Sequence, residues 1–211
     1  MTTPRAAPQA DGRRKRTEMK RAAILDAAEE LFVSDGFEVT SVDAIAARAG
    51  VSKRTVYDHF GDKRGLFVGV LERSGEVLLR TIRAAIDEEL TEGRDLREAL
   101  HAFAQRVTTE TFPSSVYVNF RRLNGQNPPA PRLPDGLHDE PERSLEERFT
   151  RYADAGALRL RDPRRAVQHF IALTMRLALD VLDQTPDLAR DTDELHDLIA
   201  DGVDAFLRAY T

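Results

Sequence analysis

Between Thr40 and Lys63 the chain reads T-S-V-D-A-I-A-A-R-A-G-V-S-K-R-T-V-Y-D-H-F-G-D-K, and Gly50 in its middle fixes what can be built on either side. Before it, Val42, Ile45, Ala46 and Ala49 recur at helical spacing and form one narrow apolar face. Alanines at 44, 46, 47 and 49 let another helix come close. Thr40 is expected to open this helix with its hydroxyl as cap, and Asp43 to answer three residues on, as in a capping box. After the glycine, Val51 plugs the corner and Ser52 caps a second helix whose Val56 and Phe60 point inward. That second helix is loaded with Lys53, Arg54, Thr55, Tyr57 and His59. Two short helices about a tight turn, the second rich in donors, have the layout of a helix-turn-helix that enters the major groove of DNA.

The flanking sequence predicts helices and no strand. Residues 1 to 12 have no apolar period, and Arg13, Arg14, Lys15 and Arg16 follow; residues 1–16 are expected to form a disordered basic arm. A helix is predicted from Thr17 through Ile24, Ala27, Ala28, Leu31 and Phe32, ended by Asp35-Gly36. A fourth begins near Asp62 and runs to about Glu88, weakened by Gly69 and Gly75. Leu96, Leu100, Phe103 and Val107 make the next stripe, and Pro113 opens a short helix through Val116, Tyr117, Phe120 and Leu123. The proline-rich residues 124–136 are predicted to be a long loop. A helix from about His138 to Ala155 follows. Asp162-Pro163 opens a long apolar helix to about Gln184, and Pro186 breaks it. The last helix is predicted over Thr192 to Tyr210.

Composition excludes several classes. There is no cysteine, so disulfides and thiolate sites are ruled out. The longest apolar candidate, Ala166 to Leu182, is interrupted by His169, Arg176 and Asp180, which argues against a membrane helix. With no apolar signal segment either, a cytoplasmic protein is expected. The net charge of -5 is uneven: residues 1–64 hold 12 Lys+Arg against 10 Asp+Glu, and the remainder 19 against 26. The weakly basic part is the one with the helix-turn-helix, and local charge is what attracts phosphate. No phosphate-binding glycine loop, G-x-S-x-G or H-E-x-x-H occurs, so no catalytic residues and no cofactor are expected. Asp193, His196 and Asp197 read as a solvated face, not a metal site. The competing readings are a helical small-molecule-binding protein without DNA recognition and a helical enzyme.

Thr40-Ser41-Val42, Ile45-Ala46, Ala49-Gly50-Val51-Ser52, Thr55-Val56-Tyr57, His59-Phe60 and Lys63 resemble the DNA-binding domain of the TetR family of bacterial transcriptional regulators. Residues 100–183 resemble, more faintly, the AefR-type C-terminal domain, with Gly156-Ala157-Leu158 leading to Asp162-Pro163. The resemblance implies an all-α fold of about nine helices. A helix-turn-helix domain would cover 17–64, and an effector-binding and dimer-forming domain 65–211. Such a homodimer would bind a palindromic double-stranded DNA operator and repress, until a small-molecule effector releases it. Thr40, Ser41, Lys53, Arg54, Thr55, Tyr57, His59 and Lys63 are the expected DNA-binding residues. Lys53 and Arg54 are placed to reach guanine. Ser41, Thr55, Tyr57 and His59 would touch the backbone, and Lys63 would hold phosphate at a helix start. Asp58 departs from the family pattern, and repels phosphate unless it takes a cytosine amino group or pairs with Arg54.

An effector cavity within the larger domain is expected among Phe103, Val107, Phe112, Tyr117, Phe120, Phe149, Tyr152 and Met175. Arg121 and His169, with Asn119 and Arg122, would supply its polar handles. The last two helices carry more apolar surface than one core needs. Val181, Leu182, Leu195, Ile199, Phe206 and Leu207 are therefore expected to pair with a second copy as a four-helix bundle.

Overall fold

The computed structural model describes residues 8–125, 140–184 and 192–211. Its helices are α1 (Pro8–Asp35), α2 (Val42–Arg48), α3 (Lys53–Phe60), α4 (Lys63–Glu89), α5 (Leu96–Arg106), α6 (Ser115–Asn124), α7 (Glu140–Asp154), α8 (Pro163–Ile171), α9 (Leu177–Gln184) and α10 (Thr192–Tyr210). The π-helical turn Ala172–Arg176 joins α8 to α9 in one rod, and another, Val107–Thr111, prolongs α5. Among the described residues there is no strand, as the sequence predicts.

α1 starts at Pro8, not Thr17. Residues 8–16 are therefore helical rather than disordered, while residues 1–7 lie outside the described part. Proline suits a first helical turn, and the straight-chain Arg13 to Arg16 are good helix formers. Arg14 pairs with Glu18 one turn on at 3.0 Å. The predicted 124–136 loop lies almost wholly outside the described residues, and so does Pro186.

The chain divides into two units, residues 1–74 with 119–133, and 75–118 with 134–211. The division falls inside α4 and α6. In the first unit α1, α2, α3 and the start of α4 close over Ile24, Phe32, Ile45, Val56, Phe67 and Leu71, with Leu123 of α6 fully buried among them. Phe32, Phe37 and Phe67 form an aromatic knot, with Phe67 edge-on to the other two at 5.1 and 5.0 Å. On its flank Arg73 reaches both Asp26 at 2.6 Å and Glu29 at 2.7 Å, and Asn119 donates to Glu29 at 3.2 Å.

The second unit packs α5, α7, α8 and α10 around Phe103, Phe149, Phe170 and Phe206. Both π turns hold a buried threonine that donates back to the preceding turn: Thr108 to Ala104 at 2.9 Å and Thr174 to Phe170 at 2.7 Å. Such back-bonding competes with the regular ladder and suits a local widening of the helix.

This core takes in the α10 residues expected at the dimer surface. Leu195, Ile199, Phe206 and Leu207 are buried within their own chain, Ile199 and Phe206 completely. The face is covered by the Ala172–Arg176 turn and α8 just before it and by α5, and it looks unpartnered in sequence because α5 lies far away along the chain. Val181 is half-buried, and the side chain of Leu182 lies outside the described residues.

Candidate nucleic-acid interface

The turn and its cap position the second helix. Gly50 sits at φ 66, a conformation cheap only for glycine, and the Val51 amide closes the turn onto Ala46 O at 3.0 Å. Ser52 has extended backbone, and its hydroxyl accepts the Thr55 amide at 3.1 Å, satisfying an end amide that would otherwise lack a partner. Val56, 1% exposed, nails the inner face of α3 to the core. Phe60 is held between the Arg21 guanidinium, 5.2 Å from its ring centre, and Gly69, whose missing Cβ leaves the ring its room. Gly65 is required more strictly, since a Cβ there would come 2.2 Å from Phe60 O.

With α3 anchored, its outer face presents Lys53, Arg54, Tyr57 and Asp58. The Arg54 side chain is 90% exposed and lies 4.0 Å from the Asp58 carboxylate, so the pairing expected at that spacing exists only as a loose surface contact. Tyr57 is 42% exposed. Lys53 donates to Asp43 of α2 at 2.8 Å, and that hydrogen bond, with the carboxylate's charge behind it, raises the lysine's pKa above its usual value. Sequence reasoning missed this pair because Asp43 was assigned to capping. The Thr55 hydroxyl lies 2.8 Å from that of Ser52. His59 is half-buried beside Phe60.

Lys63 opens α4, and its ammonium lies 4.5 Å from the centre of the Phe37 ring while donating to Glu38 O at 3.1 Å. It is thus pinned across the end of α1 with donors to spare, since an ammonium has three. Ser41 is exposed and is the true cap of α2, accepting the Ala44 amide at 3.1 Å and keeping its own proton to donate. Thr40 is a correction. It is 4% exposed, and its hydroxyl turns inward to Leu31 O at 3.0 Å and Gly36 O at 2.7 Å, so it ties α2 to the end of α1 and offers nothing to a ligand outside. Arg13, Arg14, Lys15, Arg16, Lys20 and Arg21 are all exposed on the first half of α1.

The side chains expected around an effector cavity are spread between the two units and between core and surface. Phe103, Val107, Phe149 and Met175 are packed core. Phe112 and Tyr117 stack on each other at 4.7 Å. Phe120 packs against the core of the other unit, and Asn119 belongs to that unit's Glu29 cluster. Arg121 and Arg122 are exposed, and His169 meets the Tyr210 hydroxyl at 2.7 Å on the surface. A helical stripe of aromatics records burial, not whether the buried space is filled. Of the expected set, Tyr152 alone lines the cavity of about 270 Å³ bounded by Leu90, Arg94, Leu96, Arg148 and Ala157. Among the described residues no group of three or more metal-ligating side chains gathers, and no helix is long and apolar enough to cross a membrane.

A glycine-turned helix pair with an anchored inner face and a donor-rich outer face, joined to a larger helical unit, defines a helix-turn-helix protein of the regulator class. Residues 24–70 match the family model for bacterial regulatory proteins of the tetR family, and residues 96–211 match that of the AefR-like transcriptional repressor C-terminal domain. The chain belongs to the TetR family. It is 38% identical over 92 residues to the helix-turn-helix transcriptional activator FasR of Mycolicibacterium smegmatis, covering 44% of this chain and 42% of that protein. It is 38% identical over 101 residues to a helix-turn-helix transcriptional repressor of Mycobacterium tuberculosis, covering 44% of this chain and 54% of that one. The matches thus span about half the length of these relatives. Among solved structures, a TetR-family regulator from Mesorhizobium loti superposes with a TM-score of 0.76 at 26% identity, over 92% of this chain and 98% of that chain. The flavonoid-responsive regulator FrrA does so with a TM-score of 0.69 at 29% identity, over 91% and 97%.

Proposed function

We propose that the chain is a ligand-responsive transcriptional regulator that binds a palindromic operator as a homodimer, represses, and is released by a small effector. It works in the cytoplasm, on the nucleoid, and performs no catalysis. The observation that carries the reading is the outer face of α3, where Arg54, Lys53 and Tyr57 stand exposed on a helix whose inner face is fixed. Arg54 and Lys53 suit base edges. Ser41, Thr55, Tyr57, His59 and Lys63 suit the phosphates, with the basic start of α1 adding charge.

Repression is supported by the repressor-type C-terminal domain and release by an effector by the responsive relative FrrA. Dimerisation follows from operator symmetry. With the inner face of α10 consumed by the core, the surface that suits a second copy is the outer face of α9, where Leu177 is 46% exposed and Val181 lies one turn on. The test is retardation of the DNA flanking the gene, with excess random DNA as competitor. A complex that survives the competitor supports the reading. No complex even at low salt would instead favour a helical binding protein without DNA recognition.

A further inference from the structure

The cavity walled by Leu90, Arg94, Leu96, Arg148, Tyr152 and Ala157 lies between the end of α4, the start of α5 and the end of α7. At about 270 Å³ it falls at the small end of ligand pockets. Two of its wall residues carry unmet polar groups. The Tyr152 hydroxyl and the Arg148 Nε–H are both buried with no hydrogen-bond partner among the described residues. They stand one turn apart on α7, on the same face. The rest of Arg148 is fixed, with Nη1 donating to Leu90 O at 2.7 Å and Nη2 to Asp87 at 2.9 Å. A buried donor without an acceptor costs ~1–3 kcal/mol, so two neighbours in one wall favour anything that brings an accepting oxygen. Burial pushes the Tyr152 phenol up, which keeps it protonated and able to donate.

The surrounding charges decide what kind of oxygen. Arg94 is neutralised by Glu89 at 2.8 Å and Arg148 by Asp87. The remaining charged wall residues, Arg151 and Glu92, are opposite in sign. No net charge is left to draw in an ion. Leu90, Leu96, Ala157 and the Tyr152 ring offer an apolar bed. The exposed Glu92–Gly93 turn lines the same cavity.

We propose that this pocket binds a small, uncharged, mainly apolar molecule through one carbonyl oxygen, that of a ketone, ester or lactone, received by Tyr152 and Arg148. The inference rests on the regulator reading only in making such a molecule the effector; the binding itself needs no DNA.

The chain has no tryptophan, so naphthalene fluorescence can be followed without interference from it. 2-Acetylnaphthalene, 2-ethylnaphthalene and 2-naphthoate are titrated into the full chain. The ketone is expected to bind at least about tenfold more tightly than either of the others, a tenfold step being about 1.4 kcal/mol. In Tyr152→Phe the ketone should fall to the level of the ethyl compound, whose own affinity stays put. Ala155→Leu, at an exposed position lining the cavity, should weaken both neutral probes while leaving the melting temperature unchanged. The proposal is overturned by no ketone binding, by a tighter carboxylate, or by a ketone preference that persists in Tyr152→Phe. Should that variant not fold, undiminished ketone binding by Ala155→Leu overturns it equally. Retardation of flanking DNA is measured separately. Ketone binding by a chain that retards no DNA would sink the regulator reading and leave the pocket standing.

Discussion

Asp43 and Lys53 show how a single pair of residues sets the electrostatics of the interface. The carboxylate holds the lysine at 2.8 Å and offsets its charge on the face proposed to meet DNA. Asp43→Asn should therefore tighten binding to specific and random DNA alike and steepen the salt dependence by about one unit of slope. An unchanged slope would mean that Lys53 leaves Asp43 for a base in any case. The second residue-scale prediction concerns His101. Burial first, and the neighbouring His196 second, lower its pKa from the usual 6.5, and the two rings lie 4.4 Å apart. A histidine depressed in the fold stays neutral there while the unfolded chain takes up its proton. Stability should thus be full above pH ~6.5 and fall as the pH drops from there toward the folded value, by up to ~1.4 kcal/mol per pH unit. Thermal melts from pH 8 to pH 5 check this. His101→Gln should flatten the acid side, and a parent melting temperature that does not move would contradict it.

At the scale of elements, the α3–α4 junction is the most exacting piece of the interface. Gly65→Ala would push a Cβ into Phe60 O, where backbone and not a flexible side chain must give. The expected cost is at least ~1–3 kcal/mol, seen in chemical denaturation, with operator affinity falling alongside because α3 loses its seat. A variant as stable as the parent would mean that the junction tolerates a shift. Helix existence was legible in the sequence, and several ends were too. α10 spans Thr192–Tyr210 as predicted, because its apolar period is long. The cap of α2 was misassigned between two adjacent hydroxyls, since only the fold shows that Thr40 is drawn inward by Leu31 and Gly36. Tyr117 and Phe120 are both expected at an effector cavity, yet on α6 Tyr117 pairs with Phe112 while Phe120 and Leu123 serve the other unit's core. Periodicity gives a helix its face but not the identity of what covers it. The π turns leave no periodic signature at all, and the buried threonines are visible only once the helix around them is built.

The whole molecule raises the same question for α10, whose apolar face the sequence offered to a partner and the fold keeps for itself. Ile199→Glu and Phe206→Glu would each bury an unpaired charge and should unfold the larger unit, at a cost beyond ~4 kcal/mol. Leu177→Glu, on the half-exposed side of α9, should leave the fold intact and weaken self-association. Sedimentation alongside circular dichroism separates the two classes. A folded Phe206→Glu monomer would restore the α10 face as the interface, and a Leu177→Glu variant that dimerises like the parent would move the interface off α9. The outer face of α3 is proposed to read DNA sequence. Its most direct test is binding of Arg54→Ala to the operator and to each single-base variant of it, beside the parent, at one fixed salt concentration. Discrimination at one position in each half-site should be lost, by ~1–3 kcal/mol, while binding to random DNA persists. Parental discrimination at every position in the variant would mean that Arg54 reads no base.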